Sequence, residues 1–285
     1  MFQAAILLTS LVLVGVATAQ SAEFTNQVTN IKVGEKKVAA RRSPDGDKIL
    51  YSRWKDGKSC VFKARSDGSG EVQLTDATTH NSQPCWSTDG EFVLFESRRT
   101  GTSQIYKMDL DGNNVEQLTD ERNGARRPLC SATGWMAWEV MREKDLKVWR
   151  NDLMIEKDGV RKTITSEPDY ISDFAWQPNG EAICFGTINK LAFYSIENDS
   201  LQVISLEEKN ENFYSHVPAE ITWAAEDNEV ACRIPFLGGR MAGGGAIFGD
   251  EQVFRISPDS FEMIEGADLQ SYPVDWIREF FVDRE

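Results

Sequence analysis

In WSTDGEFVLFESRRTGTSQIYKMDLDGNNVEQLTDERNGARRP, residues 86–128, short apolar runs alternate with turn residues. A Ser-x-Asp-Gly turn at 87–90 leads into Phe92–Phe95, and an Arg-rich turn separates that run from Ile105–Met108. Asp109-Leu110-Asp111-Gly112 then leads to Val115–Thr119. β-branched and aromatic runs set apart by turn signals predict strands, and with the segment around Trp86 they number four. The Asp-Gly pairs suit tight turns, because glycine enters positive φ without a Cβ clash.

Residues 43–84, SPDGDKILYSRWKDGKSCVFKARSDGSGEVQLTDATTHNSQP, carry the same landmarks. Asp45, Asp67 and Leu74-Thr75 recur as Asp89, Asp111 and Leu118-Thr119, each 44 residues later. Three landmarks at one offset define a repeat of stacked supersecondary units. Looser copies begin at Ser131 (SATGWMAWE), Trp176 (WQPNGEAICFGT) and Trp223 (WAAEDNEVACRI), and Trp276 opens a last, short one.

A four-stranded unit of this length is a β-propeller blade. The 266 residues after Ala19 correspond to six such units. The expected architecture is therefore an all-β propeller of six blades with about four strands each. The sixth would combine Val274–Val282 with Phe24–Val33, so that N- and C-terminal strands close the ring and remove exposed sheet edges. Five blades with decorated ends is the alternative. Tyr51, Phe95, Trp138 and Phe185 occupy similar slots and are expected to pack between blades.

Residues 1–19, MFQAAILLTSLVLVGVATA, have no charged side chain and end in the small-x-small pattern Ala17-Thr18-Ala19. The apolar stretch Ala4–Val16 is short for a membrane span and fits a signal peptide cleaved after Ala19. The expected division is thus a leader at 1–19 and a single propeller domain at 20–285, periplasmic or secreted, with no membrane span in the mature chain. A composition of 41% hydrophobic and 27% charged residues is that of a folded chain. A net charge of −14 argues against nucleic acid and anionic membrane as partners. The five cysteines, Cys60, Cys85, Cys130, Cys184 and Cys232, are widely spaced and form no Cys-x-x-Cys. They read as small buried hydrophobes on strands, and the odd number leaves at least one thiol free or paired between chains.

Over residues 43–128 the motifs SPDGDKILYS and WSTDGEFVLFESRRTGTSQIYKMDLDGNNVEQLT resemble the WD-like propeller repeat of the TolB family. The resemblance implies a propeller fold and export, and is looser over 131–282. About 22 residues separate Ala19 from the first copy, so the N-terminal α/β domain of that family is not expected, and the implied molecule is a lone propeller.

Residues repeated in every blade serve architecture, so function is sought where the copies differ. In a propeller, the loops joining one blade to the next gather at one rim. Here they carry His80 and Asn81, Arg126 and Arg127, Asp169 and Tyr170, Tyr214 and His216, and Tyr272. These residues, with Arg240 in the glycine-rich insertion FLGGRMAGGGAIFGD at 236–250, are the expected partner-binding set. His80 and His216 fall in blades one and four, nearly opposite, so they do not converge on a metal. Asp109–Asn114 lacks the glycine and glutamate positions of a calcium loop. There is no Gly-x-Ser-x-Gly, His-Glu-x-x-His or phosphate-binding loop.

The expected function is a non-catalytic, monomeric module that binds a protein or peptide partner in the cell envelope, with no cofactor and no metal. The alternative is a hydrolase or lyase acting on carbohydrate or lactone through channel carboxylates. Glu96 and Glu139, which occupy similar repeat slots, would be those carboxylates.

Overall fold

A computed structural model describes residues 28–145, 148–165, 170–205, 218–223, 230–234, 237–240, 246–248, 252–257 and 260–264. All regular structure among them is β-strand. The first sheet runs β1 (Val28–Val33), β2 (Lys36–Arg42), β3 (Lys48–Lys55), β4 (Lys58–Arg65) and β5 (Val72–Gln73). The second holds β6 (Asn81–Trp86), β7 (Phe92–Thr100), β8 (Thr102–Asp109) and β9 (Glu116–Gln117). The third holds β10 (Ala125–Cys130), β11 (Met136–Asp145), β12 (Val148–Lys157) and β13 (Val160–Thr163). The fourth holds β14 (Asp173–Trp176), β15 (Ala182–Thr187), β16 (Lys190–Ser195) and β17 (Ser200–Ser205).

In the fifth sheet β18 (Ala219–Trp223) and β19 (Val230–Ile234) are followed by a hairpin, β20 (Leu237–Arg240) with β21 (Ala246–Phe248). The sheet then resumes with β22 (Gln252–Ser257) and β23 (Ser260–Ile264). The glycine-rich insertion thus contributes a separate two-stranded element between the second and third strands of a blade.

Each sheet is an antiparallel meander, the form of a propeller blade. The described residues make five such sheets. Val28–Val33, expected in a closing sixth blade, pairs with Lys36–Arg42 at the edge of the first sheet. Its expected partner segment, 274–282, lies outside the described residues.

The repeated residues build the turns and close the sheets. Ser43 Oγ donates to Asp45 Oδ1, which also accepts from Asp47 N, while Ser43 Oγ accepts from Lys48 N. Ser87 and Asp89 make the same three bonds with Glu91 and Phe92. Gly46 and Gly90 follow at φ +77° and +72°, the left-handed region that a side chain resists. These bonds hold the Asp45 and Asp89 carboxyls below the usual range. The Leu-Thr pair extends a fourth strand that is otherwise two residues long. Leu74 N donates to Val61 O, and Thr75 Oγ1 then accepts from Val61 N, replacing a backbone carbonyl. Leu118 and Thr119 do the same with Ile105.

Strand alternation sends neighbouring side chains to opposite faces, and each face packs on a different blade. Ile49 and Tyr51 belong to the core of the first sheet, whereas Leu50 joins Trp86, Val93 and Phe95 of the second. Leu94 points the other way, into a core with Leu129, Leu153 and Phe174. Both faces being buried explains why the strands read as nearly continuous apolar runs. Phe95, Trp138 and Phe185 lie in clusters drawn from more than one sheet, as expected of residues packing between blades, whereas the cluster of the buried Tyr51 comes from the first sheet and the loop after it.

Candidate functional site

Neighbouring sheets touch in series, β2 with β6, β6 with β10, β10 with β14, and β14 with β18. The last four of these strands form one edge of their sheets, the edge that lines the axis of a propeller, while in the first sheet β1 lies beyond β2. Arg126 and Arg127, expected in a loop, lie in β10. The strand begins at Ala125 because Gly124, at φ +107°, packs against Ser103 of the second sheet with no room for a Cβ. Between Arg126 and Leu129 the pairing with β11 shifts, and Arg127 takes φ +56°. The bulge turns both guanidiniums onto one carboxylate.

That carboxylate is Glu139, which is 0% exposed. Arg126 Nε donates to Glu139 Oε2 at 3.1 Å, Arg127 Nη1 to Oε1 at 2.8 Å, and Asn151 Nδ2 to Oε2 at 2.7 Å. Arg127 reaches on into the fourth sheet, to Asp173 Oδ1 at 2.5 Å and Ser172 O at 3.0 Å. Asp173 Oδ2 in turn accepts from Ile221 N of the fifth sheet at 2.9 Å. Burial opposes the charge on Arg127, but Glu139 and Asp173 outweigh it and hold its pKa above the usual arginine value.

Glu96, the counterpart of Glu139 in the second sheet, accepts from Ser103 Oγ at 2.7 Å. Burial pushes its carboxyl up, against the lowering effect of Ser103 and Arg126, and the nearby Glu139 adds to the rise. Glu96 and Glu139 thus do share one neighbourhood, with Glu139 fully occupied by donors. Asn151 Oδ1, Ser172 Oγ and Thr187 Oγ1, buried in the same sheets, have no hydrogen-bond partner among the described residues.

A second group lies at the end of the sheets where the inter-sheet loops meet the turns between second and third strands. His80 Nδ1 accepts from Ser59 N at 3.4 Å, and its ring stands edge-on to Trp54 at 5.3 Å. Trp54 is 45% exposed. Arg98 N donates to His80 O, and Met141 N to Gly124 O, so turns and loops interlock along this rim. Asn81, expected in a loop, opens β6; it is buried and holds the loop before it, donating to Asp76 O and Thr79 O and accepting from Arg99 Nη2. The rim mixes Lys55, Arg98, Arg99 and Arg122 with Asp56, Asp76, Asp120 and Glu121, whereas the turns at the opposite end carry Asp45, Asp47, Asp67, Asp89, Asp109 and Asp111, with Lys48, Lys63 and Arg65 beside three of them.

Of the expected partner-binding residues, Tyr170 lies in the loop before β14, close enough to Arg127 to raise its pKa. Arg240 is in β20. Asp169, Tyr214, His216 and Tyr272 lie outside the described residues. Trp54, Asn151 and Asp173 were not singled out by sequence reasoning. The signal that could have found two of them is failure to repeat: Trp54 stands where the next blade has Arg98, and Asp173 where its neighbours have Arg127 and Gln83. Among the described residues no group of three or more His, Cys, Asp or Glu is placed to hold a metal ion.

The family model for the TolB beta propeller domain matches residues 10–219. No curated protein matches the chain. Among solved structures, TolB from Acinetobacter baumannii is 22% identical, with 57% of this chain and 42% of that one covered and a TM-score of 0.46. Oligogalacturonate lyase from Vibrio parahaemolyticus is 15% identical over 84% of this chain and 65% of that one, TM-score 0.53. Pyrococcus horikoshii acylaminoacyl peptidase is 15% identical over 80% and 39%, TM-score 0.53. The chain spans about half the length of the TolB structures it matches, 42% of one and 56% of another. At these identities the likeness is one of fold.

Proposed function

This chain belongs to the TolB β-propeller domain family, and from that premise we propose that it is an exported, non-catalytic module binding a protein or peptide partner in the cell envelope through its loop rim. The observation that carries this reading is the exposed Trp54 edge-on to His80 on that rim. An indole with one wet face beside a polar ring, fringed by arginines, is the composition of a recognition hot spot. Export rests on the leader-like residues 1–19, and the acidic opposite end favours a partner approaching from the rim.

The state of Glu139 supports binding over catalysis. A hydrolase or lyase would need a carboxylate free to take or give a proton at substrate. Glu139 is instead enclosed and spent on Arg126, Arg127 and Asn151.

The test is site-specific photo-crosslinking in envelope extract, with a benzophenone side chain at the exposed position 55 or, as control, at the exposed position 91. The expected result is one discrete adduct from position 55 that disappears when His80→Ala is added, and none from position 91. Equal labelling from both positions would refute a rim-specific partner. Turnover of a sugar polymer abolished by Glu96→Gln would refute the non-catalytic reading.

A further inference from the structure

Three sheet junctions carry the same indole link. Trp86 Nε1 donates to Arg41 O at 3.0 Å, Trp176 Nε1 to Leu129 O at 3.0 Å, and Trp223 Nε1 to Ala175 O at 2.9 Å. In each case the last residue of an inner strand reaches the carbonyl of the next-to-last residue of the preceding inner strand or its counterpart. The junction between the second and third sheets departs from the pattern. The indole slot at the end of β10 holds Cys130, and the residue it faces, next to last in β6, is Cys85.

Both are free thiols, set across the junction near enough for each to act on the other's titration. Both belong to one apolar cluster and are enclosed, at 0% and 7% exposure. The other cysteines are placed differently. Cys60 donates to Asp76 O beside its own sheet; Cys184 and Cys232 share a buried cluster of their own, but on the second strands β15 and β19, at a junction that has its tryptophan.

We infer that Cys85 and Cys130 are a disulfide site, a covalent link between the second and third sheets at the junction where the indole link is missing. The oxidant is a small-molecule or protein disulfide met during folding, before the sheets close over the sulfurs. One cysteine thiolate attacks that disulfide, forming a mixed disulfide and releasing one thiol. The second cysteine thiolate then attacks the protein sulfur of the mixed disulfide and releases the other. Two protein thiols are thereby oxidised by two electrons and lose two protons, and the external disulfide becomes two thiols. Two cysteines on neighbouring strands, with side chains in one buried cluster, are the arrangement from which a disulfide closes.

The full chain, purified folded with reduced thiols, is unfolded in urea, returned to native buffer containing reduced and oxidised glutathione, and quenched with N-ethylmaleimide. Tryptic digestion without reduction then isolates Cys85 in the peptide Ser66–Arg98 and Cys130 in Arg127–Arg142. The expected product is these two peptides linked, separating on reduction. Relative to chain refolded in dithiothreitol, Tm rises by roughly 5–10 °C. Recovery of both cysteines as maleimide or glutathione adducts in refolded chain would overturn the inference, as would a linkage of either to Cys60, Cys184 or Cys232. So would failure to refold in glutathione when dithiothreitol permits it.

Discussion

Arg127 adopts a left-handed backbone, at φ +56°, that places its guanidinium between Glu139 and Asp173. Strain of this kind persists only where the surroundings over-determine it, and here three acceptors in two sheets do so. Arg127→Ala should cost about 3–5 kcal/mol in urea unfolding, because it leaves a buried carboxylate under-compensated. Added to that background, Glu139→Gln should cost less than it does alone, a non-additivity of about 1–3 kcal/mol that marks one network. Glu96 behaves oppositely. Its folded pKa is raised, so the stability it contributes is fully present below the unfolded value of about 4.3 and lost as pH rises through the folded value. Glu96→Gln keeps an acceptor for Ser103 and removes the ionisation. Calorimetry should therefore show a higher Tm than wild type at pH 7 and a gain that fades near pH 4.

The turns separate two kinds of glycine. Gly57, at φ +76°, has open space where a Cβ would go, whereas at Gly112, at φ +83°, the Cβ would lie 2.4 Å from Leu74 O of the preceding sheet. Gly57→Ala should cost about 1 kcal/mol of backbone strain, and Gly112→Ala clearly more, because two blades must separate; chemical denaturation of both variants checks this. The blade itself was legible in sequence because Asp-Gly and Leu-Thr keep a fixed offset of 44 residues. Their chemistry is local, made within a turn or between adjacent strands. The Arg127 network was not legible. The bulge in β10 changes which residues face the axis, and Glu96 and Glu139 are 43 residues apart, one out of phase with the repeat. The buried Asn81 likewise looked like a loop residue, because nothing in its neighbours announces that the loop folds back onto it.

Among the described residues, hydrogen bonds and ion pairs cross each sheet junction, from Trp86 to Arg41, Thr88 to Ser131, Arg127 to Asp173, and Asp173 to Ile221. The inner strands are thus tied together, while the two ends of the sheets differ in charge and in exposed aromatic surface. Linked inner strands with a varied rim suit recognition of a partner through the rim. Hydrogen–deuterium exchange on the chain with the partner captured at position 55 distinguishes the two ends. Protection is predicted at 53–59, 76–82, 98–104 and 120–127, with 43–48, 65–71, 87–92 and 109–114 unchanged. Protection of the second set of segments with the first left exchanging would contradict binding through the rim.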